Sequence, residues 1–374
     1  MNILVSNLGS TSLKYQIIEF PSERVLTQGR AERVTDYAEA IRAIPVKQYH
    51  VDAVAFKAVL AGARYRGTFQ IDDEVMAAMR RFLPAAPTHN GIYLNGIAAF
   101  AKALPETPLV AAFETEFHAT MPEYAARYGV PERWHTEGEI RRYGFHGASH
   151  QYVSERAPQI LGGPVKRLVS CHLGGSSSMC AILDGRSVDT TMGFSPQSGL
   201  ENATRHGDLD VYAVLYMMER NGWRAGEVGE QLAAEGGLAG LSGIAGGDVR
   251  DLVAGVAAGN ADARLALDVL VYEVRKTIGA YTVVLGGLDA VAFTGGIGEN
   301  SAELRAAICE GIVELDHQAN TAAKGDRVLS PPDALVKAVA LTTNEELIVA
   351  RRAYKLLSAP ERVAASKART GGVV

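Results

Sequence analysis

Lys14 follows a small polar loop in the run "ILVSNLGSTSLKYQII" that begins at Ile3. Asn7, Ser10, Thr11 and Ser12, with the backbone amides near Gly9, make a concave set of donors, and the lysine adds a point charge suited to a phosphate. The residues after the loop alternate and favour β-structure, so a hairpin is expected, where the common phosphate loops lead into a helix. A second polar turn, "HLGGSSS", starts at His172, and a third, "FTGGIGEN", at Phe293. The third is expected to run from a strand at 289–294 into a helix with Asn300 or Ser301 as N-cap, an arrangement that brings backbone close to a nucleotide. It matches neither the Walker A pattern nor the dinucleotide fingerprint.

Between residues 113 and 150 lie Glu114, Glu116, His118, His135, His146 and His150. The i, i+4 spacing of His146 and His150 invites a zinc reading. The glycines bracketing "GFHGASH" argue against it, because a rigid metal helix would exclude them. Arg205 and His206 sit in a turn-rich polar segment ahead of a helix. An arginine there is either a solvated helix-entry charge or a group for the developing charge of phosphoryl transfer. Glu345 and Glu346 open the last helix, where capping and the helix dipole account for acidic residues.

The elements that must position these groups alternate between strand and helix. Strands are expected at 2–6, 12–19, 52–56, 108–113, 167–172, 178–183 and 289–294, and helices at 73–83, 93–103, 209–220, 262–285, 301–313 and 345–357, which is an α/β pattern. The chain also repeats itself. "LVSNLGSTSLKYQII" from Leu4 recurs as "LVSCHLGGSSSMCAIL" from Leu168 with one residue inserted, and "DAVAF" occurs at Asp52 and again at Asp289. Two matches in the same order argue for two related halves, whose strand-loop-strand tips would face each other across a cleft.

Composition bounds the function. The 374 residues, 47% hydrophobic and 21% charged, are enough for two ordinary domains with sizeable cores. A net charge of −5 gives no overall attraction to nucleic acid or anionic membrane. Cys171, Cys180 and Cys309 form no CxxC pair and no even set, which fits a reducing cytoplasm. Neither a leader nor a membrane span is expected.

"NLGSTSLKYQ", "FETEFHATMPEYA", "RRYGFHGASHQYV", "HLGGSSS", "TTMGFSPQSGL", "FTGGIGEN" and "TNEEL" resemble, in order, the motifs of the acetate kinase family, from Asn2 to about Leu357. The resemblance implies a duplicated ribonuclease-H-like fold of the actin, Hsp70 and sugar kinase type, with two domains and an interdomain cleft. The expected division is 1–118, joined by the helix 346–358, then 119–345 for nucleotide binding and dimerisation, with a flexible tail at 359–374. The implied activity is Mg-dependent transfer of the ATP γ-phosphoryl group to a short-chain carboxylate by a cytoplasmic homodimer, with Mn2+ as a substitute metal. By position, Asn7 and Glu345 are the metal residues, and Ser10, Ser12 and Lys14 grip phosphate. Glu114, His146 and Arg205 are catalytic, and Lys57, Val59, Thr88, His89 and Pro196 bind the acid. The ATP segments are Ser170, Cys171, His172, Leu173 and Gly174; Gly246, Gly247, Asp248 and Arg250; and Gly295, Gly296, Ile297, Gly298 and Glu299.

Four departures from the family pattern lie where the acid should sit. "HRVVHGG" is here "FKAVLAG", so an arginine fork becomes the point charge of Lys57, with Phe56 and Leu60 in place of two histidines. "FDTAFH" is "FETEFH", placing Glu114 at the aspartate position. "HLGNG" is "HLGGS", and Thr88 adds a hydroxyl before His89. Lys57 and Glu114 are therefore expected to be a coupled exchange. A larger or hydroxylated acid, or a non-catalytic nucleotide or acyl-phosphate sensor, stands as the alternative.

Overall fold

The structure is a computed structural model that describes residues 1–9, 11–34, 36–322 and 325–359, with backbone alone at 87–89. These residues divide into two compact units, Met1–Ala119 with the chain from Asn344 onward, and Thr120–Thr343. The expected tail, apart from its first residue, lies outside the described residues.

Each unit is built on a six-stranded sheet. The first contains β1 (Asn2–Gly9), β2 (Ser12–Glu19), β3 (Arg24–Glu32), β4 (Ala53–Ala58), β5 (Thr68–Gln70) and β6 (Leu109–Phe113), in the order β3-β2-β1-β4-β6-β5. The second contains β7 (Arg167–His172), β8 (Ser178–Leu183), β9 (Arg186–Thr190), β10 (Ala290–Thr294), β11 (Arg327–Val328) and β12 (Lys337–Ala340). Its order from the same edge is β9-β8-β7-β10-β12-β11. In both, an antiparallel ribbon joins a parallel centre that ends in one antiparallel edge strand. The expected duplication is thus a duplication of topology.

The repeated pentapeptide has a physical basis. Asp52 accepts a hydrogen bond from the Asn2 amide at 2.7 Å, and Asp289 accepts one from the Arg167 amide at 2.8 Å. Each aspartate satisfies the first amide of the neighbouring central strand, with Ile3 then beside Ala53 and Leu168 beside Ala290. The rest of the pentapeptide supplies the apolar run of a strand buried on both faces.

Sequence periodicity did not reveal the edge strands β3, β5, β9 and β11, which are polar or half exposed, nor the interior β12, and all of these but β3 are only two to five residues long. It also missed the helix Gly147–Leu161. The C-terminal helix Glu345–Leu357 belongs to the first unit, where it packs on β1, β4, β5 and β6.

Candidate active site

In the first unit, strand register places the functional side chains. Asn7 is paired with Lys14 across the hairpin, and Lys14 with Arg30 on β3, so the three side chains stand in a row on one face. Ser6 lies beside Phe56 in the parallel pair, which puts Lys57 on that same face. The expected hairpin therefore forms, and it aligns a metal-type amide with two cations. A Cβ at Gly9 would come within 2.6 Å of Ser12 Oγ, so a side chain there would turn that hydroxyl away. Ser10 lies outside the described residues, as do the side chains of Thr88 and His89. Lys14 and Arg30 line a cavity of about 360 Å³ together with Gln16, Gln28 and Glu346.

The C-terminal helix brings its first turn to this face. Asn344 caps it by accepting from the Leu347 amide at 3.0 Å. Glu346 accepts from Asn7 Nδ2 at 3.5 Å, and Glu345 forms an ion pair with Lys57. Burial pulls the Lys57 ammonium down, but Glu345 and then Glu114 and Tyr93 more than offset this and hold it well above the usual lysine range. Lys57 makes its ion pair with Glu345, and Glu114 acts on the same ammonium as a second negative charge nearby. Glu114 itself is 5% exposed and is tied by its amide to the Ala58 carbonyl at 2.8 Å. Val59, the residue after Ala58, is buried on a loop braced by Asn90. That buried asparagine donates to the carbonyls of Leu60 and Met79 at 2.8 and 3.0 Å.

Mg2+ takes hard oxygen donors, commonly one or two carboxylates completed by phosphates and water. Asn7 Oδ1 on β1 and the Glu345 and Glu346 carboxylates in the first turn of the last helix are donors of that kind, with Asn7 and Glu346 in hydrogen-bond contact, so the residues present fit Mg2+.

In the second unit, His146 adopts a left-handed conformation with φ of 55° immediately before the helix Gly147–Leu161. Its ring stacks on His172 with centroids 4.2 Å apart, and its Nδ1 lies 2.8 Å from Ser178 Oγ. His172 Nδ1 meets Ser149 Oγ at 2.8 Å. His150 turns inward to Ser170 and Ser178, which makes it a structural member of the group. Arg205 donates from Nη1 to the Pro196 carbonyl at 2.8 Å, joining two expected site residues. Burial pulls its guanidinium below the usual arginine range, and no ion pair to it exists among the described residues.

The glycine turns meet at Leu173. Its carbonyl accepts from the Ile297 and Gly298 amides at 2.8 and 3.1 Å, and a Cβ on Gly295, at φ of 78°, would lie 2.6 Å from that oxygen. The expected N-cap is Ser301, while Asn300 ends the preceding helical turn and donates to the Gly296 carbonyl at 2.8 Å. Glu299 accepts from Thr342 Oγ1 at 3.1 Å, and burial raises its carboxyl. Gly246 and Gly247 both have positive φ, and Asp248 then caps the next helix while paired with Arg250. Gly174 packs against the turn, its Cβ position 3.7 Å from the Gly296 amide.

At two of the expected ATP positions the side chain is turned into the protein. The Ser170 hydroxyl is taken by His150, and the Cys171 side chain is fully buried in the core, because alternate residues of β7 face opposite sides and both faces are covered. Four residues escaped the sequence reading: Tyr93, Asn90, Asn202 and Arg305. Asn202 accepts from the Ser177 amide at 2.6 Å, and Arg305 donates to the Gly298 carbonyl at 2.8 Å. The polar signal of Asn202 lay in "GLENATRHGD", and that of Asn90 beside His89.

A twice-repeated sheet with glycine turns after its central strands, and a half-buried arginine paired with no acid among the described residues, is the arrangement of a phosphotransferase of the duplicated actin and Hsp70-like fold. Residues 34–351 match the Acetokinase family. The chain is 38% identical to the acetate kinase of Caldanaerobacter subterraneus subsp. tengcongensis, covering 96% of this chain and 99% of that one. The solved Porphyromonas gingivalis acetate kinase superposes with a TM-score of 0.85 at 32% identity, over 96% of this chain and all of that one. A propionate kinase from Francisella tularensis gives 0.86 at 31% identity, over 94% and 98%. The chain belongs to the Acetokinase family and is a phosphotransferase with a carboxyl group as acceptor.

Proposed function

We propose that the chain transfers the γ-phosphoryl group of ATP to acetate or propionate, reversibly, giving ADP and the acyl phosphate. A carboxylate oxygen attacks phosphorus, the bond from phosphorus to the bridging oxygen breaks, and its electron pair leaves with ADP. Such an acid is ionised at pH 7, with a pKa of about 4 to 5, so no proton must move. Glu114 then acts through its charge on Lys57, where a hydroxyl acceptor would need it as a base. Catalysis rests on position and field.

The observation that carries this reading is Arg205, a largely buried guanidinium tied to a carbonyl and to no acid among the described residues. It would meet the charge of the phosphoryl group, beside His146 and His172 in role. Lys14 and Ser12 would grip phosphate, and Lys57, Val59 and Pro196 would receive the acid. The glycine turns around Leu173 and Gly247 would face ATP. Asn7 and Glu345 would hold Mg2+, which when bound neutralises phosphate oxygens.

A hydroxamate assay with ATP and short acids tests the reading. Product is expected with acetate or propionate and at least a hundredfold less from Arg205→Ala, on the order of one lost electrostatic contact. No product with any acid, despite ATP binding, would overturn it in favour of a sensor.

We further propose a homodimer in the cytoplasm. The helix Val211–Asn221 buries none of its side chains, leaving Tyr212 at 75% and Val211 and Tyr216 at 61% exposure, a patch of the kind that marks an interface. No helix among the described residues is long and apolar enough to cross a membrane, and the three cysteines are free thiols, as a reducing compartment requires. Light scattering on Tyr212→Asp should give a monomer; an unchanged mass would remove this face from the interface.

A further inference from the structure

We infer that Ser178, His150 and Ser170 form a proton-ordered chain that fixes the tautomer of His146, and that neutral His146 therefore presents Nε2–H as a donor. The inference rests on the reading of His146 as a ligand of the transferred phosphoryl group. Four groups lie in series: Ser170 Oγ is 2.8 Å from His150 Nδ1, His150 Nε2 is 2.9 Å from Ser178 Oγ, and Ser178 Oγ is 2.8 Å from His146 Nδ1. Ser170, His150 and Ser178 are each 0% exposed, so bulk solvent does not reach them.

Each hydroxyl has one proton, and each neutral imidazole has one donor and one acceptor nitrogen. A single hydroxyl between two imidazoles can donate to only one of them, which locks their tautomers together. Two orders are consistent with the distances. In the first, Ser170 donates to His150 Nδ1, His150 Nε2–H donates to Ser178, and Ser178 donates to His146 Nδ1. Every proton has an acceptor, and the remaining proton of His146 sits on Nε2. In the reverse order, His146 Nδ1–H donates to Ser178, which donates to His150 Nε2, and His150 Nδ1–H donates to Ser170. The Ser170 hydroxyl then has its oxygen used and its proton with no acceptor, since His150 is the side chain's one hydrogen-bond partner among the described residues.

An unsatisfied buried donor is costly enough to decide between the two. The first order therefore prevails, and it has a chemical consequence. A neutral imidazole donating from Nε2 offers a phosphoryl oxygen a hydrogen bond with no proton to lose, so His146 supplies a fixed dipole. The left-handed backbone at His146 and the stacked His172 ring, itself joined to Ser149, hold that dipole in place. Ser178, His150 and Ser170 are positioning residues, since they act through His146.

Selective 15N labelling of the nine histidines tests this, with His146 assigned by its own variant. In the full-length wild type at neutral pH, the His146 Nδ1 signal should be that of an acceptor nitrogen and Nε2 that of an N–H. Ser178→Ala should shift His146 toward the other tautomer and lower kcat about tenfold to a hundredfold, as loss of an orienting partner does for ligating imidazoles. KM for ATP should stay within about twofold, and Ser178→Thr should restore both the spectrum and the rate. A wild-type His146 protonated on Nδ1 overturns the inference whether or not any variant folds. So does a Ser178→Ala enzyme with unchanged rate and ring signals while His146→Ala is inactive. Should His146→Ala keep full activity, the phosphoryl-ligand reading falls, and the ring spectrum still judges the chain.

Discussion

Lys57→Met removes one charge and keeps most of the side-chain length, so it isolates the electrostatics of the first unit's site. Lys57 is 23% and Glu345 13% exposed, and Glu114 is a second carboxylate within reach. Breaking a fully buried pair costs about 3–5 kcal/mol, while an exposed one is worth under about 1 kcal/mol. The residual exposure places this pair near the lower end of the first range, about 3 kcal/mol. At about 2–4 °C per kcal/mol for a body of this size, the first unit's transition should fall by about 6–12 °C. The pH dependence follows from the two acids left without their cation. They are relieved by taking up a proton, so the folded variant binds more protons than its unfolded chain and its stability falls as pH rises. Urea denaturation should therefore give the full penalty at pH 7 and a smaller one at pH 5. Adding Glu345→Gln should recover more stability at pH 7 than adding Glu114→Gln, because Glu345 is the partner in contact. A penalty below about 1 kcal/mol, or one equal at both pH values, would refute the reasoning.

Asp248 is held at about 2, first by the Arg250 side chain and then by its amide, against an ordinary 3.8. Its contribution should be complete above that ordinary value and lost as pH falls toward 2; Asp248→Asn keeps a cap and should flatten that stretch of the acid-unfolding curve. Gly247→Ala would put a Cβ 2.1 Å from the Ala203 carbonyl at φ of 60°, so calorimetry should show a loss above about 3 kcal/mol. Arg305→Met removes the donors to Gly298 and Asn320, and KM for ATP should rise several-fold while KM for the acid stays, as substrate titrations would show.

The duplication was legible because its signals are local. A hairpin alternates, a buried parallel strand is a short apolar run, and an aspartate that caps a strand recurs with it. The edge strands were not, since a strand such as "RVLTQGRAE" has one wet face and an open edge, and its pairing is set by its neighbour rather than its own pattern. Among the site residues, types and order in the chain were readable, but partners were not. Glu345 is 288 residues from Lys57, and nothing local distinguishes the acid that caps a helix from the acid that neutralises a buried lysine.

That limit bears on the substitution of lysine for the family's arginine. A guanidinium can serve two carboxylates through its fork, whereas an ammonium between Glu345 and Glu114 is a single charge shared by proximity. An incoming acid adds a third negative charge to that neighbourhood, which one lysine cannot balance. On the reading that Lys57 receives the acid, its one charge is already divided between Glu345 and Glu114, which weakens its hold on an acceptor. Lys57→Arg should then lower KM for the acid, because its fork can serve Glu345 and the acceptor together, and Lys57→Met should raise it. Opposite changes from these two substitutions, measured at saturating ATP, would separate shared charge from simple steric fit, in which both enlargement and removal of the cation impair binding.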